Sequence, residues 1–233
     1  MSGLNASVSG ESEDSDGMQT LSTGLENLDH AIENQGIRAG SIVAVVSDPN
    51  APGDIVTANM VANRPAYYYT LGRSEEHVRK NIKDVQNVSL ETTHISSVDS
   101  ANPVQTLRGV LENTEFPRAA TVIIDPVNVL EEMAFEEFKQ LVRELQSKVN
   151  EKDGVGILYG VKAQTDPSNR WFTMSACDTV LQVQHEQRGE SVDEYLTVQK
   201  LSSGQELVNN DTRKFQLARS LDIDITTSRN ISP

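Results

Sequence analysis

The chain has 233 residues, of which 37% are hydrophobic, and this suffices for one buried core in a single α/β unit. Asp and Glu total 34 against 20 Lys and Arg, and the net charge of -14 disfavours generic binding to the phosphate backbone of DNA or RNA. No run of about eighteen apolar residues occurs, so we expect no membrane-spanning helix.

Cysteine usage and the type of basic residue indicate a cellular setting. The single cysteine, Cys177, excludes an internal disulfide and predicts a reducing cytoplasm. The basic residues are 8 lysines and 12 arginines. An excess of carboxylates with little lysine is what a salt-loaded cytoplasm favours, because salt screens the self-repulsion of the chain. We therefore predict a halophilic, cytoplasmic protein, with an ordinary acidic mesophilic protein as the alternative.

The N-terminal residues 1–19 differ in character from the rest of the chain. They are polar, acidic and without periodicity, which predicts a disordered segment. Residues 1–17 have neither a basic nor an apolar stretch, so we expect no signal peptide.

A helical pattern begins directly after this segment. Its apolar positions are Leu21, Leu25, Leu28 and Ile32. Ser22 or Thr23 is the expected cap of this helix. The continuous apolar run at 41–46 then predicts a strand that is buried on both faces.

The remainder alternates between strand and helix patterns. Further strands are predicted at 66–70, 121–124, 155–161, 179–184, 195–200, 214–217 and 223–226, and short extended pieces at 88–95. Helices are predicted at 55–62, 74–83, 103–113 and 135–152.

This order of elements predicts the fold class. Helices between strands imply right-handed crossovers and a parallel sheet, and the final strands without helices predict an antiparallel extension at one edge. We expect an α/β fold with a mostly parallel sheet over residues 20–226, followed by a short tail at 227–233. We also expect the strands at 42–46 and 121–124 to be adjacent and parallel.

The loop at 47–54 stands where an α/β sheet binds phosphate, between a buried strand and a helix. An active loop reads G-x-x-x-x-G-K-[ST]: the glycines expose N–H groups, the lysine neutralises phosphate and the hydroxyl holds magnesium. At those four places stand Ser47, Pro52, Gly53 and Asp54. Pro52 removes an N–H donor, Gly53 removes the cation, and Asp54 places a carboxylate at the helix N-terminus. This pattern predicts a filled loop, and an unrelated Asp-Pro loop is the alternative.

Five segments, in order, carry a resemblance to a known family. They are LSTGLENLD at 21–29, GIRAGSIVAVV at 36–46, YYYTLGRSEEHVRKN at 67–81, TVIID at 121–125, and LTVQK at 196–200 followed by KFQL at 214–217 and LDI at 221–223. In this order and spacing they resemble the KaiC/RadA-like ATPase domains of the RecA superfamily. The resemblance implies a RecA-like, P-loop NTPase-type three-layer fold.

The resemblance also assigns expected roles to single residues. The family's strand-end glutamate pair, which includes the base that activates the attacking water, corresponds here to Gly72 and Arg73. Asp125 matches the Walker B carboxylate. Lys200 matches a lysine that reaches the nucleotide of a neighbouring subunit. A helix-capping Asp125 and a solvated edge Lys200 are the structural alternatives.

Other side chains give weaker indications. The histidines and the cysteine lack metal-ligand spacing, so we expect no metal site. Glu131 and Glu132 are expected on a solvated face. Trp171 and Phe172 fall in the polar region after residue 161, where they either anchor the core or form a partner-binding loop.

These observations predict a catalytically inactive RecA/KaiC-like paralogue that regulates or scaffolds through protein contacts, without a cofactor and with ATP and magnesium disfavoured. The expected partner is a second copy or a RecA/KaiC-type paralogue, contacted through the edge segment at 195–223. Two alternatives remain open: an ATPase with a non-standard site built from Asp125, Lys200 and a partner's residues, and DNA binding, which the acidic surface disfavours.

Overall fold

The computed structural model describes residues 19–61, 64–83, 90–99, 101–188, 191–208, 213–217 and 226–227. The segment 1–19 lies outside the described residues except for Gln19, and the tail 227–233 except for Thr227, so what was expected of both stays a prediction. In the described part, no helix is long and apolar enough to cross a membrane.

The strands of the described residues form one large sheet and one small one. They are β1 Thr20–Leu21, β2 Ile37–Arg38, β3 Ser41–Ser47, β4 Ala66–Thr70, β5 Thr93–Ser97, β6 Thr121–Asp125, β7 Val155–Val161, β8 Thr179–Arg188, β9 Ser191–Lys200, β10 Lys214–Leu217 and β11 Thr226–Thr227. The large sheet has the order β11-β10-β9-β8-β3-β7-β6-β4-β5, while β1 pairs with β2. Pairing is parallel from β8 to β5 and antiparallel from β8 to β11. The predicted α/β fold with an antiparallel edge is confirmed.

Helices connect the parallel strands and cover both faces of the sheet. They are α1 Glu26–Ala31, α2 Gly53–Asn59, α3 Glu75–Lys83, α4 Pro103–Asn113, α5 Asn128–Glu131, α6 Phe135–Glu151 and α7 Arg170–Ala176, with a 3-10 turn at Leu90–Thr92. Helix α4 begins at a proline, whose missing N–H would have had no partner in the first turn. Helix α6 buries one apolar stripe, as its periodicity predicts.

The core lies on both faces of the sheet because alternate side chains of each strand point to opposite sides. Val43 and Val45 pack with the apolar residues of α1, α2 and α3. Ile42 and Ala44 pack with those of α4 and α6. Each fully buried aliphatic side chain contributes about 1.5–3 kcal/mol, so these two layers stabilise the central strands of the sheet.

The expected adjacency of the strands at 42–46 and 121–124 is wrong. Both strands are parallel members of the sheet, but β7 lies between β3 and β6 and pairs with each of them. Gly156 of β7 explains part of this fit, since a Cβ there would lie 2.4 Å from Ile42 Cδ1 and 3.2 Å from Leu145. The side chains around β7 therefore close over a strand that is buried on both faces.

Two further local expectations need correction. Leu21, expected among the apolar positions of the first helix, belongs to β1. The N-cap position of that helix is Leu25, without a side-chain cap, and not Ser22 or Thr23. Thr23 acts just outside the helix, where its hydroxyl accepts the N–H of Leu25 at 3.1 Å. Trp171 and Phe172 lie in helix α7 and not in a loop.

Candidate functional site

The candidate site lies at the edge of the sheet where β3, β4 and β6 end. The loop after β3 leads into α2, Arg73 lies in the turn after β4, and Asp125 is the last residue of β6. Strands β4 and β6 are neighbours, with Thr70 opposite Asp125. The carboxyl ends of parallel strands meet at one edge, and the fold thereby places residues from three distant chain segments side by side.

The backbone of the loop after β3 is hydrogen-bonded within the chain. The N–H of Asp48 donates to Val183 O at 2.8 Å, that of Ala51 to Asp48 O at 3.0 Å, and that of Gly53 to Ala51 O at 2.8 Å. Pro52 has no N–H to donate. These amide groups are thus engaged internally, whereas a phosphate cradle needs such groups to point at the ligand.

Side chains hold the same loop in place. The Asp48 carboxylate pairs with Lys162 Nζ at 2.8 Å and accepts the backbone N–H of His185 at 3.2 Å. The Ser47 hydroxyl donates to Asp48 O at 2.8 Å. The loop is therefore tied to β7 and β8, on both sides of β3.

Gly53, which was expected at the lysine position of an active loop, has no room for a side chain. A Cβ built there would lie 2.4 Å from Ser47 Cβ and 2.9 Å from Tyr159 Cε2, closer than such atoms approach in proteins. Burial raises the pKa of Tyr159 to about 12, so this ring stays a neutral phenol. Ser47 and Tyr159 together occupy the space beside the helix start.

A guanidinium lies between two carboxylates at this edge. Arg73 Nη2 contacts the carboxylate of Asp125, and Arg73 Nη1 lies 3.5 Å from Asp54 Oδ2. Asp125 is 1% exposed and Arg73 24% exposed. The Tyr68 hydroxyl donates to the same Asp125 oxygen that faces Arg73. Arg73 thus supplies the positive charge that lies between the two carboxylates.

Burial and these contacts act in opposite directions on the pKa of Asp125. Burial raises its pKa, while the charge of Arg73 and the hydrogen bonds from Tyr68 and Arg73 lower it, and the net direction is upward. Burial and the nearby Asp125 charge raise the pKa of Tyr68 well above its usual range. The Asp125 carboxylate therefore depends on Arg73 for its compensation.

Lys200 makes contacts elsewhere in the chain. Its ammonium donates to the carbonyl oxygen of Ser175 at 3.0 Å and of Cys177 at 2.5 Å, at the C-terminal end of α7. A cation at this end of a helix complements the unpaired carbonyl groups. The structure thus brings Asp54, Arg73 and Asp125 together and engages Lys200 with α7.

The expectation that Glu131 lies on a solvated face is wrong. Glu131 is 0% exposed, and its carboxylate pairs with Arg170 Nη2 at 2.7 Å and accepts the Thr173 hydroxyl at 2.6 Å. The neighbouring Glu132 is exposed and accepts the Ser168 hydroxyl at 3.1 Å. The Glu131–Arg170 pair joins α5 to α7 and thereby connects the two chain segments that follow β6 and β7.

Three residues of the site were not anticipated in their structural roles. From the sequence, Arg73 was expected only as a residue that stands in place of the family's catalytic base, whereas in the structure its charge compensates that of Asp125. Tyr68 and Tyr159 lie on strands whose tyrosines look like ordinary core residues. The available signal was the alternation of side chains in β4. It puts Tyr68 on the same face as Thr70, the last residue of the strand, which lies three residues before Arg73.

Across the described residues, no group of three or more His, Cys, Asp or Glu side chains is arranged to hold a metal ion. Asp54 and Asp125 already share Arg73. The chemistry that this edge displays is internal charge compensation.

The sheet order, the helices on both faces and the site at the strand ends define a KaiC-like, RecA-type α/β fold. Among 662 solved chains that match is a KaiC-like protein from the hyperthermophilic archaeon Pyrococcus horikoshii. The match has a TM-score of 0.69 and 13% sequence identity, and covers 91% of this chain and 100% of that one. A comparison with curated proteins gives no match.

The chain belongs to the family of unknown function DUF7125, whose model matches residues 20–232. At 13% identity the solved KaiC-like structure speaks for the fold alone.

Proposed function

We propose that this chain is a RecA/KaiC-like protein without ATPase activity, which regulates or scaffolds other proteins through direct contacts. The observation that carries the proposal is the Arg73 guanidinium held between Asp54 and Asp125. It occupies the charge position that nucleotide and magnesium would need. The loop is in this reading a degenerate form of the phosphate-binding loop.

Electrostatics and space both support the absence of nucleotide. An incoming phosphate would meet the Asp54 carboxylate, and two like charges 4 Å apart repel by about 4 kcal/mol at an effective dielectric of 20. Loop amides that would offset this cost donate within the chain. A lysine cannot stand at Gly53 without displacing Ser47 and Tyr159.

An ATPase with a non-standard site is the competing function. It would require Asp125 to bind magnesium and Lys200 to reach a neighbouring subunit. Asp125 is buried against Arg73, and the Lys200 ammonium is bonded to two carbonyl groups of its own chain. Both side chains would have to break these contacts first.

The first expected result is that the purified protein does not hydrolyse ATP. Phosphate release in multimolar potassium chloride with magnesium should equal that of a buffer blank, since cradle, cation and base are replaced. Mg-ATP should also leave the unfolding midpoint unchanged. A ligand that did bind the folded protein, at a concentration of 100 times its Kd, would add about 2.7 kcal/mol of stability and raise the midpoint. Turnover that disappears in an Asp125→Asn variant would contradict the proposal, whereas turnover equal in both proteins indicates a contaminant.

The second expected result concerns assembly through the edge segment. The described part of this segment contains the C-terminal part of β9, all of β10, and Val208, which is 63% exposed. If the edge is an interface, light scattering at multimolar salt should detect an oligomer, or a complex with a RecA/KaiC-type partner, of the same mass with and without nucleotide. Val208→Asp should weaken this assembly because it places a charge in the contact.

Ile55→Asp provides a matched control, because Ile55 is an exposed apolar residue on α2, outside the edge segment. It should leave the mass unchanged. A strict monomer that also binds no RecA-type partner would remove the support for scaffolding.

A further inference from the structure

An ordered aromatic cluster lies at the surface on the segments that follow β6 and β7. Trp171 is 61% exposed and stacks on Phe135, with ring centroids 5.5 Å apart and an angle of 27° between the planes. Phe172 meets the Phe135 ring edge-on at 5.4 Å and the Trp171 ring at 5.9 Å. We call these three residues the aromatic platform.

The platform is rooted in the core and leaves the indole outside. Phe172 packs edge-on against the buried Phe138 at 5.9 Å. Trp171 is therefore the exposed end of a series of ring contacts that leads to Phe138 in the core. A large aromatic side chain that remains exposed in a defined position is the kind of residue that dominates protein interfaces.

The backbone that carries the platform is held in place by buried contacts of the two residues that precede Trp171. Arg170, the residue before Trp171, is locked into the buried pair with Glu131. Asn169 donates to Met133 O at 2.9 Å, which holds the start of α6 against the start of α7. A surface held in place before binding loses little conformational entropy when a partner docks, so it binds more tightly.

The exposed charges on the same segments are mostly negative. The exposed carboxylates at 132–139 and 163–171 are Glu132, Glu136, Glu137 and Asp166. Two half-buried lysines lie near these carboxylates: Lys139 pairs with Glu136 at 3.1 Å, and Lys162, directly after β7, pairs with Asp48 at 2.8 Å. The Lys139 ammonium also lies 5.2 Å from the centroid of the Phe135 ring. The platform thus already accepts a cation on one of its rings.

This combination selects one kind of occupant. A second copy that docked with the same surface would bring the same carboxylates, and the net charge of -14 would repel nucleic acids and anionic lipid surfaces. A positively charged protein segment matches both features, since its lysine or arginine can lie on the indole while its other cations pair with the carboxylates.

We propose that the aromatic platform binds a basic, partly apolar protein segment, with a lysine or arginine side chain on the ring of Trp171. This inference builds on the proposed scaffolding function and adds a partner class, on a surface separate from the edge segment with Val208. It requires no nucleotide and no rearrangement of the Arg73 site.

The chain offers a direct readout because Trp171 is its single tryptophan. The probe is a synthetic amphipathic peptide of alternating leucine and arginine, and a peptide with glutamate in place of arginine serves as the comparison. We expect the basic peptide to change the Trp171 fluorescence saturably and the acidic peptide to leave it unchanged. The binding should weaken as salt is added, since the pairs with the carboxylates are screened.

Substitutions separate this surface from general attraction to an acidic protein. With a fluorescently labelled basic peptide, Trp171→Ser should raise Kd about tenfold, because the indole contact is lost. Ile55→Ser is the matched control, since Ile55 is an exposed apolar residue outside both the platform and the edge segment, and it should leave Kd unchanged. Equal Kd values for the wild type and Trp171→Ser would overturn the proposal, as would a stronger response to the acidic peptide, DNA or phosphatidylserine vesicles.

The outcome is independent of the tests of the proposed function. Assembly and ATP turnover are measured without the peptide, and Val208→Asp addresses a different surface. A failed peptide experiment with unchanged assembly would reject the platform as a binding site and retain the scaffold. Peptide binding that depends on Trp171, in a protein that hydrolyses ATP, would reject the inactive scaffold and retain the platform.

Discussion

Arg170→Met is expected to destabilise the protein by about 4 kcal/mol, because it leaves the Glu131 carboxylate without its cation in a fully buried position. The free energy of unfolding should be measured in urea at constant potassium chloride. Guanidinium chloride is unsuitable, since it is itself a salt and would change the screening of the acidic surface.

The double variant Glu131→Met/Arg170→Met tests the reason for this loss. It should recover most of the stability, since replacing both partners of a buried pair by apolar residues is often neutral or stabilising. The Nη1 atom of Arg170 is buried without a hydrogen-bond partner among the described residues, which favours this recovery further. A double variant as unstable as the single one would show that the pair is required for packing and not for charge compensation.

Arg73→Met is expected to cost about 3 kcal/mol, because Asp125, which is 1% exposed, would lose its cation and keep only the Tyr68 hydroxyl as a close partner. The matched variant is Arg79→Met on α3, an exposed arginine for which we expect a change within about 0.5 kcal/mol. Adding Asp125→Asn to Arg73→Met should restore part of the stability, since the uncompensated charge disappears.

The loss caused by Arg73→Met should depend on pH. Burial already raises the pKa of Asp125 in the folded protein, and removing the Arg73 charge removes a main opposing effect, so the pKa rises further. A folded state that binds the proton more tightly than the unfolded chain loses stability as pH rises through that pKa. The deficit relative to the wild type should be complete at neutral pH and shrink on acidification. A deficit that stays constant with pH would exclude Asp125 as its cause.

Local patterns in the sequence were sufficient for most elements of the fold. The helix at 103–113 and the strands at 155–161 and 214–217 have the predicted bounds, because each has a clear apolar period and a proline, glycine or polar boundary. The order of the strands was harder to predict. Periodicity indicates which face of a strand is buried but not which strand lies beside it, and β7 was therefore not expected between β3 and β6.

At the candidate site, the sequence predicted which motif residues are missing but not which side chains are in contact. The substitutions at Pro52, Gly53 and Asp54 follow from comparison with a motif, so they can be read from the chain. The contact between Arg73 and Asp125 joins residues 52 positions apart, and that between Arg170 and Glu131 joins residues 39 apart. Such pairs leave no local signal in the sequence, because each charged residue, taken with its sequence neighbours alone, looks like part of a solvent-exposed surface.

The crowded space at Gly53 also bears on how this chain could evolve. A mutation to lysine there would overlap Ser47 and Tyr159, and a mutation of Arg73 to glutamate would gather three carboxylates around one buried position. Each step toward a phosphate-binding loop therefore lowers stability before it yields any activity, and a protein near its stability threshold tolerates few such intermediates. Selection acting on single mutations would therefore disfavour reversion of this site to a phosphate-binding loop.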